Sequence, residues 1–222
     1  MHVREPVVEG AALELLRDAA TPTLPRGRHS LPRDEVVARQ RARILAAMVR
    51  VVGQRGYHGT RVAHVTECAR LSRRTFYDLY DGKEDCFVDA FGVAARTLVA
   101  PAERAVAERA RSPWVERTTV AVGAFVDAVV EVPDAGRVVI VESLATGAEG
   151  LRRRDEALAP LYALLAEAGA RRGPRMPSVT GEIVLGGLLH VLFQELTGGD
   201  PPRLARRARE LVHWTVAPYA AS

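Results

Sequence analysis

The punctuation of one 45-residue stretch limits this chain more than any other feature. Residues 43–87 read RILAAMVRVVGQRGYHGTRVAHVTECARLSRRTFYDLYDGKEDCF. The breaks divide it into a helix, a Gly stop, a short helix, a tight turn, a second short helix and a further helix start. Two short helices joined by a tight turn are the skeleton of a helix-turn-helix, which reads DNA with its second helix in the major groove.

The first of these helices is predicted over about 34–54. Val37, Ile44, Leu45, Met48, Val51 and Val52 recur at three- and four-residue steps, so they share a face. Gly56 can take the left-handed conformation that ends a helix, and Tyr57 then folds back as an apolar plug. Thr60 is placed to cap the next helix, whose buried edge is Val62, Val65 and Ala69, with Arg61, His64 and Cys68 projecting elsewhere. Arg70 and Leu71 make the turn, and Ser72 caps a third helix over about 73–79. Phe76 and Tyr80 stand four apart and face the core. That leaves Arg73, Arg74, Thr75, Tyr77 and Asp78 on sides open to a groove. Arginine bonds guanine edges or phosphate, Thr and Tyr hydroxyls bond phosphate oxygens, and an acidic side chain can accept from cytosine N4.

These residues carry a family resemblance. RIL at 43–45, RGY at 55–57, Thr60, LSRRTFY at 71–77, Tyr80 and KE at 83–84 together resemble the DNA-binding domain of the TetR family of transcription regulators. The near-exclusive use of Arg among the basic residues, Lys83 being the one lysine, gives the resemblance an actinobacterial cast. It implies that Thr60, Arg73, Arg74, Thr75, Tyr77 and Lys83 contact DNA. Lys83 would open the fourth helix, where free N–H groups and the helix dipole also favour phosphate. Arg61 and Ser72, which flank the two short helices, complete the candidate set. Two positions depart from the family pattern. Arg70 stands where Gly is usual, and a left-handed non-glycine residue there costs about 1 kcal/mol or more. Leu79 stands where Tyr or His is usual.

Charge agrees with the motif. Residues 26–85 hold 13 of the 31 basic residues and 7 of the 27 acidic ones, a local net of +6 against +4 for the whole chain. Neutralising phosphates and releasing their counterions needs such a concentration.

The rest of the chain reads as helical, so the predicted class is all-α: a three-helix reader followed by a C-terminal helical bundle for effector binding and dimerisation. The expected division is a flexible arm over 1–29, the reader over 30–82 and the bundle over 83–222. The arm has a weak helical pattern in Val7, Val8, Ala11, Ala12, Leu15 and Leu16, and basic residues Arg26, Arg28 and Arg33 that could instead reach DNA. Beyond residue 83, helices are predicted over about 83–110 (bent or interrupted at Pro101), from Ser112 as cap with Pro113 first to near Pro133, briefly at 138–141, and over about 150–171, 179–196 and 202–218.

The helix at 179–196 is apolar nearly all round and carries Gly186 and Gly187 at its centre. A helix of that kind is buried on more than one side, and a bare Gly pair admits a close backbone approach. Two readings follow: a helix inside one monomer, or a two-fold seam with the last helix, comprising Gly186, Gly187, Leu189, Phe193, Leu211 and Trp214. The resemblance implies the seam. Phe125, Val129, Glu142, His190 and Gln194 are the candidate effector contacts. The polar members of that set, with Glu195, can equally be satisfied by one another or by a second subunit.

The sequence excludes several classes. No GxSxG, P-loop, dinucleotide or paired-carboxylate signature is present, so an enzyme is not expected. No apolar run approaches the roughly 18 residues of a membrane span. No signal-type apolar core stands at the N-terminus, and Cys68 and Cys86 read as unpaired thiols of a reducing cytoplasm. His64 and Cys68, four apart, lack a third metal ligand, and no cofactor is implied. The expected function is a cytoplasmic, homodimeric repressor that leaves its double-stranded DNA operator when an unidentified small molecule binds. The alternative is a helical small-molecule-binding or interaction protein that has lost operator binding.

Overall fold

The computed structural model describes residues 5–17, 32–172 and 180–198, together with 203, 204, 206, 207 and 210–213. Every regular element among them is helical. The chain forms two compact units, Met1–Ala94 and Ala95–Ser222.

The first unit holds α1 (Glu5–Arg17), α2 (Arg33–Arg55), α3 (Val62–Ala69), α4 (Arg73–Tyr77) and the opening turns of α5 (Lys83–Glu108). Residues 1–29 were expected as a flexible arm, but α1 is a formed helix that packs on α2. Ala12 and Leu16 are buried, and an Arg50 guanidinium N–H is donated to the Leu15 carbonyl. The cover explains a second difference. One apolar face was predicted for α2, yet all six residues of 44–49 are buried, because a helix packed on two sides buries its small residues as well. Arg26 and Arg28 lie outside the described residues.

Thr60 was expected to cap α3, and the helix starts one residue later, with Arg61 at the cap. Thr60 is buried, and its hydroxyl donates at 2.8 Å to the Gly56 carbonyl, which the end of α2 leaves without a helical partner. The Arg61 N–H is donated instead to His64 Nδ1 at 3.3 Å. Gly56 ends α2 with the positive φ expected, 74°, but its ψ of 160° is extended and not the left-handed helical value predicted.

The second unit takes the end of α5, α6 (Trp114–Glu131), α7 (Pro133–Gly136), a π-helical turn (Arg137–Glu142), α8 (Ser143–Ala145), α9 (Gly147–Arg172) and α10 (Thr180–Gly198). Helix α5 is continuous through Pro101, so of the two expectations there, bend or interruption, the interruption does not occur. Ser112 does not cap α6: Pro113 is the cap residue and the helix begins at Trp114. The apolar run at 138–141 is helical as predicted, inside the π-helical turn. Phe125, Val129, Leu158, Leu165, Leu185 and Leu192 are fully buried in this unit, each contributing about 1.5–3 kcal/mol of apolar burial. Beyond α10, residues 203, 204, 206, 207 and 210–213 are helical, within the last predicted helix. Glu195, which needed a partner, receives Arg203 at 3.2 Å and Arg207.

Among the described residues, no helix is long and apolar enough to cross a membrane, and no three His, Cys, Asp or Glu are grouped to hold a metal.

Candidate nucleic-acid interface

The turn between α3 and α4 sets the geometry of the reader. Arg70 adopts φ 53° and ψ 45°, the left-handed conformation that its position requires of a residue normally glycine. Leu71 N–H then closes back on the Thr66 carbonyl at 2.9 Å. Arg43 of α2 reaches across and donates to the carbonyls of Ala69 and Arg70, at 2.5 and 3.3 Å. Burial, and after it the charge of Arg70, lowers the Arg43 pKa. So the strained turn is gripped from the preceding helix.

Ser72 opens α4 as predicted. Its hydroxyl accepts the Thr75 N–H at 3.0 Å and lies 2.9 Å from the Thr75 hydroxyl. Both side chains therefore shape the helix start, whatever else they touch. Phe76 and Tyr80 turn inward, their ring centroids 5.8 Å apart. The Arg41 guanidinium donates to the Tyr80 hydroxyl at 3.0 Å and to Asp89 at 2.5 Å, which joins α2 and the segment between α4 and α5 to the first turns of α5. Burial, reinforced by the neighbouring Cys86 thiol, pushes the Tyr80 hydroxyl up in pKa and keeps it protonated.

With α4 fixed from behind, its outer surface carries the predicted residues. Arg73, Arg74, Tyr77 and Asp78 are exposed, as are Ser72 and, at the α3 cap, Arg61. Tyr77 keeps 58% of its surface open, so its hydroxyl is free to reach a phosphate oxygen. Thr75 and Lys83 are half-buried, and Thr60 turns its hydroxyl inward. Lys83 is already engaged: its ammonium donates to the Tyr57 carbonyl and lies over the Tyr57 ring. That contact was not legible in the sequence, although an aromatic residue after a Gly break and a lysine at a helix start were both visible.

The five residues expected to meet an effector are not brought to one site. Phe125 and Val129 are closed core positions, Glu142 is buried on the π-helical turn, and His190 and Gln194 are exposed on α10. A periodicity argument finds apolar faces but does not say which of them leaves space. None of the five lines the cavity of about 330 Å³ between α5, α6 and α9, nor a second of about 350 Å³ against α10 beside Val184, Gly187 and Leu188. Of the expected seam, Gly186 and Gly187 are exposed, Phe193 and Leu211 half-buried and Leu189 buried, while Trp214 lies outside the described residues. A Cβ added at either glycine would meet no atom within 4 Å.

Comparison with known proteins agrees with this arrangement. A model of the bacterial regulatory proteins of the TetR family matches residues 44–90, the span of the reader. No curated protein matches the chain by sequence. The fold is shared with the fatty acid degradation regulator FadR from Bacillus halodurans, at 16% identity and TM-score 0.63, covering 78% of this chain and 96% of that one. It is shared with the transcriptional regulator FadR from Bacillus subtilis, solved in complex with stearoyl-CoA, at 16% identity and TM-score 0.63, covering 79% and 97%. The TetR family transcriptional regulator PfmR from Thermus thermophilus aligns at 20% identity and TM-score 0.61, covering 79% and 95%. Residues 44–90 thus match the TetR family of bacterial regulatory proteins in sequence, and the chain shares the fold of TetR-family regulators.

Proposed function

We propose that this DNA-binding transcription regulator is a repressor, docking as a homodimer on two operator half-sites and released when a small molecule fills its second unit. The observation that carries the reading is the exposed set Arg61, Arg73, Arg74 and Tyr77, clustered on and beside an α4 that is held rigidly from behind. Arg73 and Arg74 are assigned to base edges, and Arg61, Tyr77 and Lys83 to phosphates. Ser72 and Thr75 order the helix start that presents them, and Asp78 stands beside them as an acceptor. The buried Thr60 hydroxyl is left out of the contact set.

Helix α5 supports the release step. It begins at Lys83 in the reader and runs on into the second unit as one helix. A dimer must dock both readers at once on half-sites set by the DNA repeat, so a change of tilt in α5 costs one of the two contacts. The effector acts only to the extent that it binds the released form more tightly. A FadR of the same fold solved with stearoyl-CoA supports a small-molecule effector in kind, and the cavity between α5, α6 and α9 is the space for it.

The test is a gel shift against the DNA upstream of the chain's own gene, repeated over a range of salt. Affinity should fall log-linearly with salt and exceed that for unrelated DNA. Absence of binding at low salt would leave the chain as a helical binding protein without an operator.

A further inference from the structure

The cavity in the second unit has a chemical bias. Its walls are apolar side chains, among them Val99, Ala121, Leu161 and Leu164, and among the described residues the charged ones that line it, Glu103 and Glu167, are both acidic. Glu167 is already neutralised: Arg117 of α6 donates to both its carboxylate oxygens, at 2.7 and 2.8 Å. Glu103 is exposed at the mouth. At about 330 Å³ the space stands near the lower end of ligand sites, which run from roughly 300 to 1,000 Å³. An apolar body of modest size is favoured inside by burial, and the exposed Glu103 carboxylate repels an anion and attracts a cation.

We infer that the cavity between α5, α6 and α9 takes a hydrophobic organic cation, an amine or quaternary ammonium, with its body against Val99, Ala121, Leu161 and Leu164 and its charge at Glu103. The assignment rests on the reading of this cavity as the effector site and names the class of effector. Arg117 matters by holding Glu167 in place and discharging it, so that one net negative charge faces the ligand.

Trp114 provides the readout. It is buried, and its indole N–H is donated to the carbonyl of the wall residue Leu164 at 2.7 Å, so filling the cavity should shift its fluorescence. Trp214 is replaced by Phe to leave this one reporter. The probes are 4-phenylbutylammonium, 4-phenylbutanol and 4-phenylbutanoate, which share a body and differ in charge. The ammonium should bind about tenfold more tightly than the carboxylate, the sum of an attraction and a repulsion each of about 1 kcal/mol or less at an exposed mouth. Glu103→Gln should lower the ratio of ammonium to alcohol affinity about fivefold. Ala121→Leu, or Ala163→Leu at the exposed rim should the first not fold, should suppress binding of all three. The inference is overturned if the carboxylate binds as tightly as the ammonium, if Glu103→Gln leaves the ratio unchanged, if the filled variants still bind, or if no probe binds. Tight ammonium binding with no effect on operator affinity would uphold the ligand class and overturn the effector role instead.

Discussion

The Lys83 ammonium lies 3.0 Å from the Tyr57 carbonyl oxygen and 4.0 Å from the centre of the Tyr57 ring. The lysine at the head of α5 therefore latches the loop that follows α2, and the same group is assigned to a DNA phosphate. An ammonium has three donors, so one can stay with Tyr57 while another turns outward.

Lys83→Ala accordingly has two separable effects. Loss of the cation–π contact and its hydrogen bond should cost the first unit about 1 kcal/mol, read as a lower midpoint in denaturant. Loss of one phosphate contact should flatten the salt dependence of operator binding by about one unit. A lower midpoint with an unchanged slope would make Lys83 a latch and nothing more. Because Lys83 is the one lysine, reductive methylation with labelled formaldehyde gives a side-chain resonance that follows it directly as operator is added.

Arg70 bears the strain of the turn, and relieving it should stabilise the chain. A left-handed residue with a Cβ costs about 1–2 kcal/mol, part of which glycine loses again through its freedom when unfolded. Arg70→Gly is thus expected to gain about 0.5–1 kcal/mol in urea denaturation with no change in slope. It also removes the cation that opposes Arg43. Arg43→Ala should move the other way by about 1–3 kcal/mol, since the Ala69 and Arg70 carbonyls lose their donor. A destabilised Arg70→Gly would mean that the arginine side chain contributes more than its backbone costs.

On the outer face of α4, the chemistry of each residue separates grip from reading. Tyr77→Phe removes one hydroxyl from an exposed ring and should weaken all operator variants alike. Arg73→Ala and Arg74→Ala should instead relax preference at one or two base pairs, at about 1–3 kcal/mol each where the contact is bidentate to guanine. Binding to a panel of single-base operator variants makes the distinction. A uniform loss for both arginines would move them to the phosphates.

What could be read from the sequence follows from how local each feature is. The reader was legible because its punctuation is local: the Gly56 stop, the turn at Arg70, the Ser72 cap and the inward pair Phe76 and Tyr80 all stand where spacing put them. The α3 start moved by one residue because the Thr60 hydroxyl donates to the Gly56 carbonyl behind it instead of capping the N–H groups ahead of it. The extra burial of α2 depends on α1, whose weak pattern gave no measure of how well it would dock. The cavity was not legible, since it depends on which apolar side chains fail to meet across three helices. Pro101 left both a bend and an interruption of α5 open, because sequence alone does not count the tertiary packing that holds a helix across one missing N–H.

The exposed glycine pair of α10 gives one substitution opposite expected effects on a lone subunit and on a two-fold seam. Gly186 and Gly187 are exposed at the middle of the helix with Ile183, 67% exposed, one turn before them and His190 one turn after. Among the described residues of the subunit, no atom lies within 4 Å of a Cβ built at either glycine. In a monomer, Gly187→Leu should therefore be harmless or helpful, since a good helix former in place of glycine gains about 0.8 kcal/mol. Across a two-fold seam with close backbone approach, the same leucine overpacks at about 1–3 kcal/mol and does so twice by symmetry. Subunit stability and assembly should then move in opposite directions, and operator affinity should fall with assembly because one reader holds one half-site. Sedimentation of Gly187→Leu beside the unaltered chain at low micromolar concentration, with denaturation of the dissociated subunit, reads both. If the unaltered chain is already monomeric there, or if the variant stays dimeric and binds operator normally, the seam does not run through Gly187.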